Sequence, residues 1–469
     1  MKDKKINLAA FILVGLIAAG VIYFYSAKDK KTGPYEYVRT AHKYIKAEKY
    51  KKAIYLLHKA YEEIPGSEDV KNNLLYGYIK YANFLDNKGD QDEAINYLSM
   101  AYEMDESNDI VANDLAVLYC DKGVRLSSEG DHVTAMENLN NAAGIAVRSS
   151  RKVRKNVSNY LFNKAVGAYN SDDGRTVFMC LNVSYALRAR FDTLMMLGQY
   201  FYRESDLDKA GFYWQKASEF QPDNEDARKQ LEKVNKEIQA QEKMEEFRAG
   251  YFNIKLYREY NIDAAMLNDT LGAIYNTVGK DLGCYPPAGT EITFYTEKDF
   301  RDIFKQKGIV RGFYDGNIRL IFIDDPTNPL FPALIAHEYT HSVISILTKN
   351  RCPVWLSEGI AVLEQMRYAA PSFSVVKSAV KNGEILSIDK LEKGFSSMDD
   401  IYLTALSYEG AHTAVLFILD KWGWAGLRGL LKRIDDGQHY ANAMDEEFYI
   451  SVPVFEEMWN EYLGKKFGK

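Results

Sequence analysis

The sequence predicts a multi-domain chain: an N-terminal transmembrane helix, an all-α solenoid of helix pairs, and an α+β domain at the C-terminus. Three observations carry this. Leu8 to Tyr25 is an uncharged, mostly apolar run of eighteen residues. From residue 34, small residues return at a fixed step of 41. Beyond residue 247, short β-branched and aromatic runs alternate with helical patterns. At 469 residues the chain has room for two or three domains. The boundaries fall at 1–33 (anchor and flanks), 34–224 (about five repeats), 225–246 (a capping or linker helix) and 247–469 (the α+β domain).

At 1.5 Å per residue, residues 8–25 span about 27 Å, enough for a bilayer. An uncleaved anchor is the reading; cleavage after Gly20, with Ala18 three positions before the cut, is the alternative. Lys2, Lys4 and Lys5 precede the run and Lys28, Lys30 and Lys31 follow it, so the positive-inside rule does not decide orientation. A short basic tail held in the cytoplasm would export everything after residue 26. The expected location is a bacterial-type inner (cytoplasmic) membrane, single-pass, with the bulk of the chain extracytoplasmic. A net charge of −6 argues against nucleic acid as a partner. Four cysteines show no CxxC spacing and read as buried thiols; a Cys284–Cys352 pair in an oxidising compartment is the alternative.

The repeat aligns Ala41, Ala82 and Gly123, then Ala53, Ala94 and Ala135, then Ala60, Ala101 and Ala142, with Leu57, Leu98 and Leu139 in step. Spacings of 12 and 7 between the small residues of one unit resemble the close-packing positions of the tetratricopeptide helix pair. The usual period is about 34, so these units carry about two extra helical turns. A fourth unit, Asn156 to Tyr185, is degenerate, with Thr176 and Val183 where alanines are expected; a fifth returns with Gly198, Ala210, Trp214, Ala217 and Pro222. Residues 225–245 form a polar helix that caps the stack. Such solenoids present a concave face that commonly binds peptides or proteins, so a protein partner is expected there.

In the last part, Phe252 to Leu256 and Glu291 to Tyr295 read as strands around a helix from Ala264 to Asp281. Gly312-Phe313-Tyr314 and Ile318 to Ile323, joined through Asp315-Gly316, read as a hairpin. Then comes an apolar helical run, Leu334 to Leu347, containing His337-Glu338-Tyr339-Thr340-His341. One helical turn puts His337 and His341 on one face, within reach of one tetrahedral metal ion. Glu338 sits about 100° round, placed to act on a water rather than on the metal. A second helix begins at Pro353 and carries Glu358, 17 residues beyond His341. Two His and one Glu leave a fourth position open, the catalytic rather than the structural arrangement.

The pair HExxH plus Trp355-Leu356-Ser357-Glu358-Gly359-Ile360-Ala361 resembles the gluzincin metallopeptidases, and among them the bacterial peptidase-MA-like families. The metzincin pattern needs Gly at 344 and His at 347, where this chain has Ile344 and Leu347. The resemblance implies a zincin-like fold, one Zn2+ per chain held by His337, His341 and Glu358, and Glu338 as general base. It implies that the Gly312–Ile323 hairpin binds substrate backbone by strand addition. It also implies an oxyanion donor at Tyr408, ahead of a helix ending at Trp422-Gly423, with core packing as the bland alternative; His412 reads as a packing residue. The expected function is a membrane-anchored zinc endopeptidase acting on a protein or peptide substrate. Two alternatives stay open: a repeat scaffold with a non-proteolytic zincin domain, and a zinc aminopeptidase. The last is disfavoured because residues 311–333 lack the Gly-x-Met-Glu-Asn stretch that family uses.

Overall fold

The computed structural model describes residues 33–170, 173–260, 262–306, 310–323, 325, 327–370, 372–397 and 400–468. They divide into two compact units, one running to Ala165 and including Met179–Ala189, the other comprising Val166–Phe178 and Arg190 onward.

The first unit is built from antiparallel helix pairs: α1 (Pro34–Lys46) with α2 (Tyr50–Glu63), α3 (Glu68–Lys88) with α4 (Gln91–Met104), and α5 (Asp109–Ser128) with α6 (His132–Arg148). It closes with most of α7 (Arg151–Asn170) and α8 (Gly174–Leu187). The periodic small residues are where helices cross: Ala41, Ala53, Ala60, Ala82, Ala94, Ala101, Ala135 and Ala142 are fully buried. A Cβ on Gly123 would lie 2.8 Å from Leu139 Cγ, so that crossing admits only glycine. The extra length lies in the first helix of the second and third units, 21 residues in α3 and 20 in α5 against 13 in α1. In the degenerate unit Ser158 and Ser184 take over the crossing. Each hydroxyl donates to the other's backbone carbonyl, at 3.0 and 2.8 Å, which satisfies two polar groups that burial would otherwise leave unpaired.

The second unit begins its regular stack with α9 (Phe191–Arg203), α10 (Leu207–Phe220) and α11 (Glu225–Gln241). Gly198 makes room for the buried Trp214 ring, whose Nε1 donates to Met195 O at 3.2 Å. A five-stranded sheet follows, in the order β1 (Met244–Ala249), β2 (Phe252–Tyr257), β3 (Thr290–Tyr295), β5 (Ile318–Ile321), β4 (Gly312–Tyr314). The central pairings β2–β3 and β3–β5 are parallel and the outer two antiparallel. Parallel strands need a crossover, and α12 (Ala264–Leu282) supplies the first. Side chains alternate across the sheet. Phe252, Ile254, Ile292, Phe294, Ile318 and Leu320 join one core; Met244, Tyr257, Tyr295 and Ile321 join a smaller one with α13 (Glu297–Phe304) on the opposite face. The polar helix expected over 225–245 ends at Gln241, because Met244 already belongs to β1.

On that second face Arg319 of β5 is 2% exposed and fully partnered. Its Nε donates to Glu237 Oε1 of α11 at 3.0 Å, its Nη1 pairs with Asp315, and its guanidinium lies 4.7 Å from the Tyr202 ring of α9. Glu237 also accepts from Tyr202 at 2.5 Å and Tyr295 at 2.8 Å. A buried ion pair survives only with such complete hydrogen bonding.

The remainder is helical: α14 (Leu330–Thr348), α15 (Val354–Gln365), α16 (Ser374–Lys381), α17 (Ile388–Ser396), α18 (Ile401–Asp435), α19 (Tyr440–Phe448) and α20 (Val452–Phe467). Gly423, at φ 63°, breaks α18. All four cysteines are free, so the alternative Cys284–Cys352 pair does not form.

Two expectations are corrected. Among the described residues no helix is long and apolar enough to cross a membrane. The nineteen-residue α14 shows why an apolar run is not a span: it carries His337, Glu338 and His341 mid-length and buries Phe331, Ile335, Tyr339 and Val343 in the protein core. The transmembrane element of the fold class and the single-pass inner-membrane location are therefore withdrawn. Leu8 to Tyr25, on which both rested, lies outside the described residues. The observed class is a mostly helical repeat stack followed by a domain with a small sheet.

Candidate metal centre

α14 packs against the sheet through Ile335, Ala336, Tyr339 and Val343, which turns the intervening residues towards a cleft of about 350 Å³. His337 and His341, one turn apart, both point Nε2 into it, 3.2 Å from each other. Glu358 Oε2 of α15 completes the triangle, 3.4 Å from His337 Nε2 and 3.6 Å from His341 Nε2. That carboxylate oxygen is buried and meets no donor other than these two histidines.

The donor set fits zinc. Bonds of about 2.0–2.1 Å in a tetrahedron imply edges of about 3.3–3.4 Å, and the three separations bracket that range. The outer nitrogens are also engaged, that of His337 by an atom that only accepts. His337 Nδ1 donates to Gln365 Oε1 at 2.8 Å, and His341 Nδ1 is 2.9 Å from Ser357 Oγ. Holding the proton on Nδ1 leaves the Nε2 lone pair for a metal. Burial works against charge on His337, but the Glu358 hydrogen bond and the nearby Glu338 outweigh it, raising its pKa to about 8. Burial likewise opposes charge on Glu358, yet its hydrogen bonds with both histidines hold it well below the usual carboxylate range.

One helix thus brings Ser357, Glu358 and Gln365 to the cluster, so the seating of α15 matters. Its first turn has no side-chain cap of its own; Glu392 of α17 accepts from Trp355 N at 3.0 Å instead. Gly359 lets α15 touch α18: a Cβ there would lie 2.5 Å from Ala411 O and 2.7 Å from Val415 Cγ2. The glycine of the W-L-x-E-G-x-A stretch is there for that contact.

Glu338 is 5% exposed and lines the same cleft; burial raises its carboxyl, with His337 and His341 opposing. Across from it runs β4. A Cβ on Gly312 would come within 3.2 Å of Glu338 Oε1, so glycine brings the strand backbone close to the carboxylate. Ile321 N donates to Arg311 O at 2.8 Å, and antiparallel alternation then turns the Gly312 peptide away from β5, towards the open side. Tyr408 of α18 lines the cleft too, half-buried, its ring 5.1 Å from Phe395. Burial, then Glu358 and Glu338, push its phenol above the ordinary range, so it stays a donor. His412 is not among the cleft-lining residues: it is 3% exposed and stacks on Phe373 at 5.4 Å. Burial and then Lys466 lower it to about 4.

Sequence reading named His337, Glu338, His341, Glu358 and Tyr408, and the structure brings all five to one cleft. It missed Ser357 and Gln365. Gln365 had a signal, since a residue seven beyond Glu358 shares its helical face.

Residues 303–465 match the model of the Peptidase MA superfamily. No curated protein matches the chain. Among solved structures, the crystal structure of the P58(IPK) TPR domain aligns at 11% identity over 92% of this chain and 97% of that one, with a TM-score of 0.17. At that score the likeness carries no argument, and the repeat assignment stands on the helix pairs themselves. The chain is thus a series of antiparallel helix pairs followed by a domain in which residues 303–465 are similar to the Peptidase MA superfamily.

Proposed function

We propose that the peptidase-MA-like domain is a zinc-dependent endopeptidase and that the helix pairs recruit its protein substrates or a protein partner. In this reading His337, His341 and Glu358 hold one Zn2+ per chain. The ion, when bound, supplies Lewis-acid polarisation of a peptide carbonyl and a water that ionises near pH 7. Glu338 takes the proton that the hydrolytic water loses and returns it to the leaving amine nitrogen. Tyr408 donates to the carbonyl oxygen as negative charge builds there. The open edge of β4 holds the substrate backbone extended across the cleft, and Gly312 keeps that backbone within reach of Glu338.

The observation that carries the reading is the triangle of 3.2, 3.4 and 3.6 Å between the three ligand atoms, in a cleft shared with a buried carboxylate and a phenol. Metal analysis of the purified chain tests it. About one zinc per chain is expected, lost in His337→Ala, His341→Ala and Glu358→Ala, since each removes one of three protein ligands. Unchanged zinc content in all three variants would remove the assignment.

A further inference from the structure

Beside the metal cleft, within the same compact unit, lies a second concavity of about 230 Å³. Tyr169 of α7, Gly174 and Val177 of α8 and Tyr200 of α9 form its walls, and Tyr314 at the end of β4 closes it. Tyr314 also lines the metal cleft, so one ring belongs to both spaces.

The edge strand gives this sharing a direction. Gly312 sits against Glu338. Tyr314 follows two residues later, about 7 Å at strand rise. Gly316 then makes the turn at φ +110°, resting on Arg203, whose Cβ, Cγ and Nε would each lie 3.4 Å from an added Cβ. An extended chain laid on the open side of β4 therefore passes Glu338 and meets the second concavity two to four residues further on.

The walls say what fits. Three tyrosine rings face the space; Tyr200 is braced by stacking on Phe178 (5.5 Å, 24°), and the Arg203 guanidinium covers Tyr169 at 5.0 Å. Arg203 and Glu204 both border it, one cation and one anion, so the walls carry no net formal charge to select a charged guest. Rings favour another ring, offset or edge-on. The volume is below the roughly 300–1,000 Å³ of sites for whole small molecules, and suits one large side chain.

We propose that this pocket is a specificity subsite that takes an aromatic side chain of the peptide substrate, two to four residues from the scissile bond. It rests on the peptidase reading above. The repeat-side helices α7 to α9 would then take part in choosing where the chain is cut as well as in holding the substrate.

The test uses the full chain loaded with zinc and peptides that carry phenylalanine, lysine or alanine at each position near the cut in turn. Phenylalanine should be favoured over alanine about 10-fold in kcat/KM at one position two to four residues from the cut. In Gly174→Leu that ratio should fall close to one. A Cβ at Gly174 meets only Tyr200 Cε2 at 3.6 Å and Glu204 Oε1 at 3.7 Å, ordinary contacts, so the added side chain grows into the pocket without a clash. Tyr200→Ala removes a wall and should also erode the ratio. A preference that survives both variants, a stronger preference for lysine, or no preference overturns the proposal and leaves the peptidase reading standing. If no peptide is cut, the same peptides are titrated by fluorescence anisotropy. Binding that depends on phenylalanine and is lost in Gly174→Leu supports the pocket and removes the peptidase reading; binding without that dependence removes both.

Discussion

Replacing Gln365 by Leu removes a single acceptor, the amide oxygen 2.8 Å from His337 Nδ1, and nearly preserves side-chain volume. A neutral imidazole carries its proton on one nitrogen or the other. With Gln365 present, a proton is held on Nδ1, so that Nε2 is the nitrogen left for the metal in the triangle with His341 and Glu358. Without it, a shielded N–H loses its partner, at a cost of about 1–3 kcal/mol, and the ring no longer prefers the metal-binding tautomer or orientation. Since about 1.4 kcal/mol is tenfold in an equilibrium constant, zinc should bind about 10- to 100-fold more weakly, the range seen for outer-shell partners of ligating histidines. Gln365→Glu keeps an acceptor and adds charge, so it should bind zinc at least as tightly as the parent. Competition against a chromophoric chelator at fixed pH measures both. The thermal midpoint of the metal-free proteins separates lost orientation from a disturbed α15. If Gln365→Leu binds zinc within about twofold of the parent while Gln365→Glu gains nothing, the hydrogen bond does not orient the ring and the reasoning fails.

Glu338→Gln should retain zinc and lose peptide hydrolysis by about 100-fold or more, because only the proton acceptor is removed; equal cleavage by mutant and parent would exclude Glu338 as the base. Tyr408→Phe deletes one oxygen from a half-buried ring, so the thermal midpoint should hold while kcat falls by about 10- to 1,000-fold with KM little changed. A full kcat would return Tyr408 to a packing role. In the first unit, burial raises the Asp114 carboxyl to about 6, with the Asn113 hydrogen bond opposing. Its folded pKa exceeds the unfolded one, so its ionisation costs stability as pH rises through that window. Asp114→Asn should therefore be about 1–2 kcal/mol more stable than the parent at pH 7, the advantage vanishing below about pH 4. Denaturant titrations at the two pH values check the sign.

The repeat alanines and the His337–His341 pair were legible for the same reason: each is a periodic placement of a distinctive residue, and helical spacing maps period onto face. β1 was not. Its residues MEEFRA are buried only at the two ends, Met244 and Ala249, and three charges in six residues look like more of the polar helix before them; an outer strand needs little apolar surface. Gly312 was visible as part of a hairpin, while its reason, the approach to Glu338 Oε1, depends on a contact between elements. The W-L-x-E-G-x-A stretch was legible as a helix carrying Glu358; that Gly359 is required by Ala411 O is known only once α18 is in place. The membrane reading failed differently: it rested on the composition of one stretch, and composition does not say what covers an apolar run.

The buried guanidinium of Arg319 also bears on how such a protein can be divided or recombined. Its partners Tyr202 and Glu237 lie on α9 and α11, helices that a reader of the repeat pattern would assign to the stack and discard with it. An expression boundary, or an ancestral gene fusion, placed just before β1 would strip the guanidinium of Glu237 and Tyr202 and leave Asp315 as its ion partner, a defect that can reach about 3–5 kcal/mol in a domain whose whole margin is of the order of 5–15 kcal/mol. A seam that keeps the whole compact unit falls ahead of Val166. Through this one residue α9 and α11 are inherited with the sheet domain, while the pairs before α7 remain open to gain, loss or exchange.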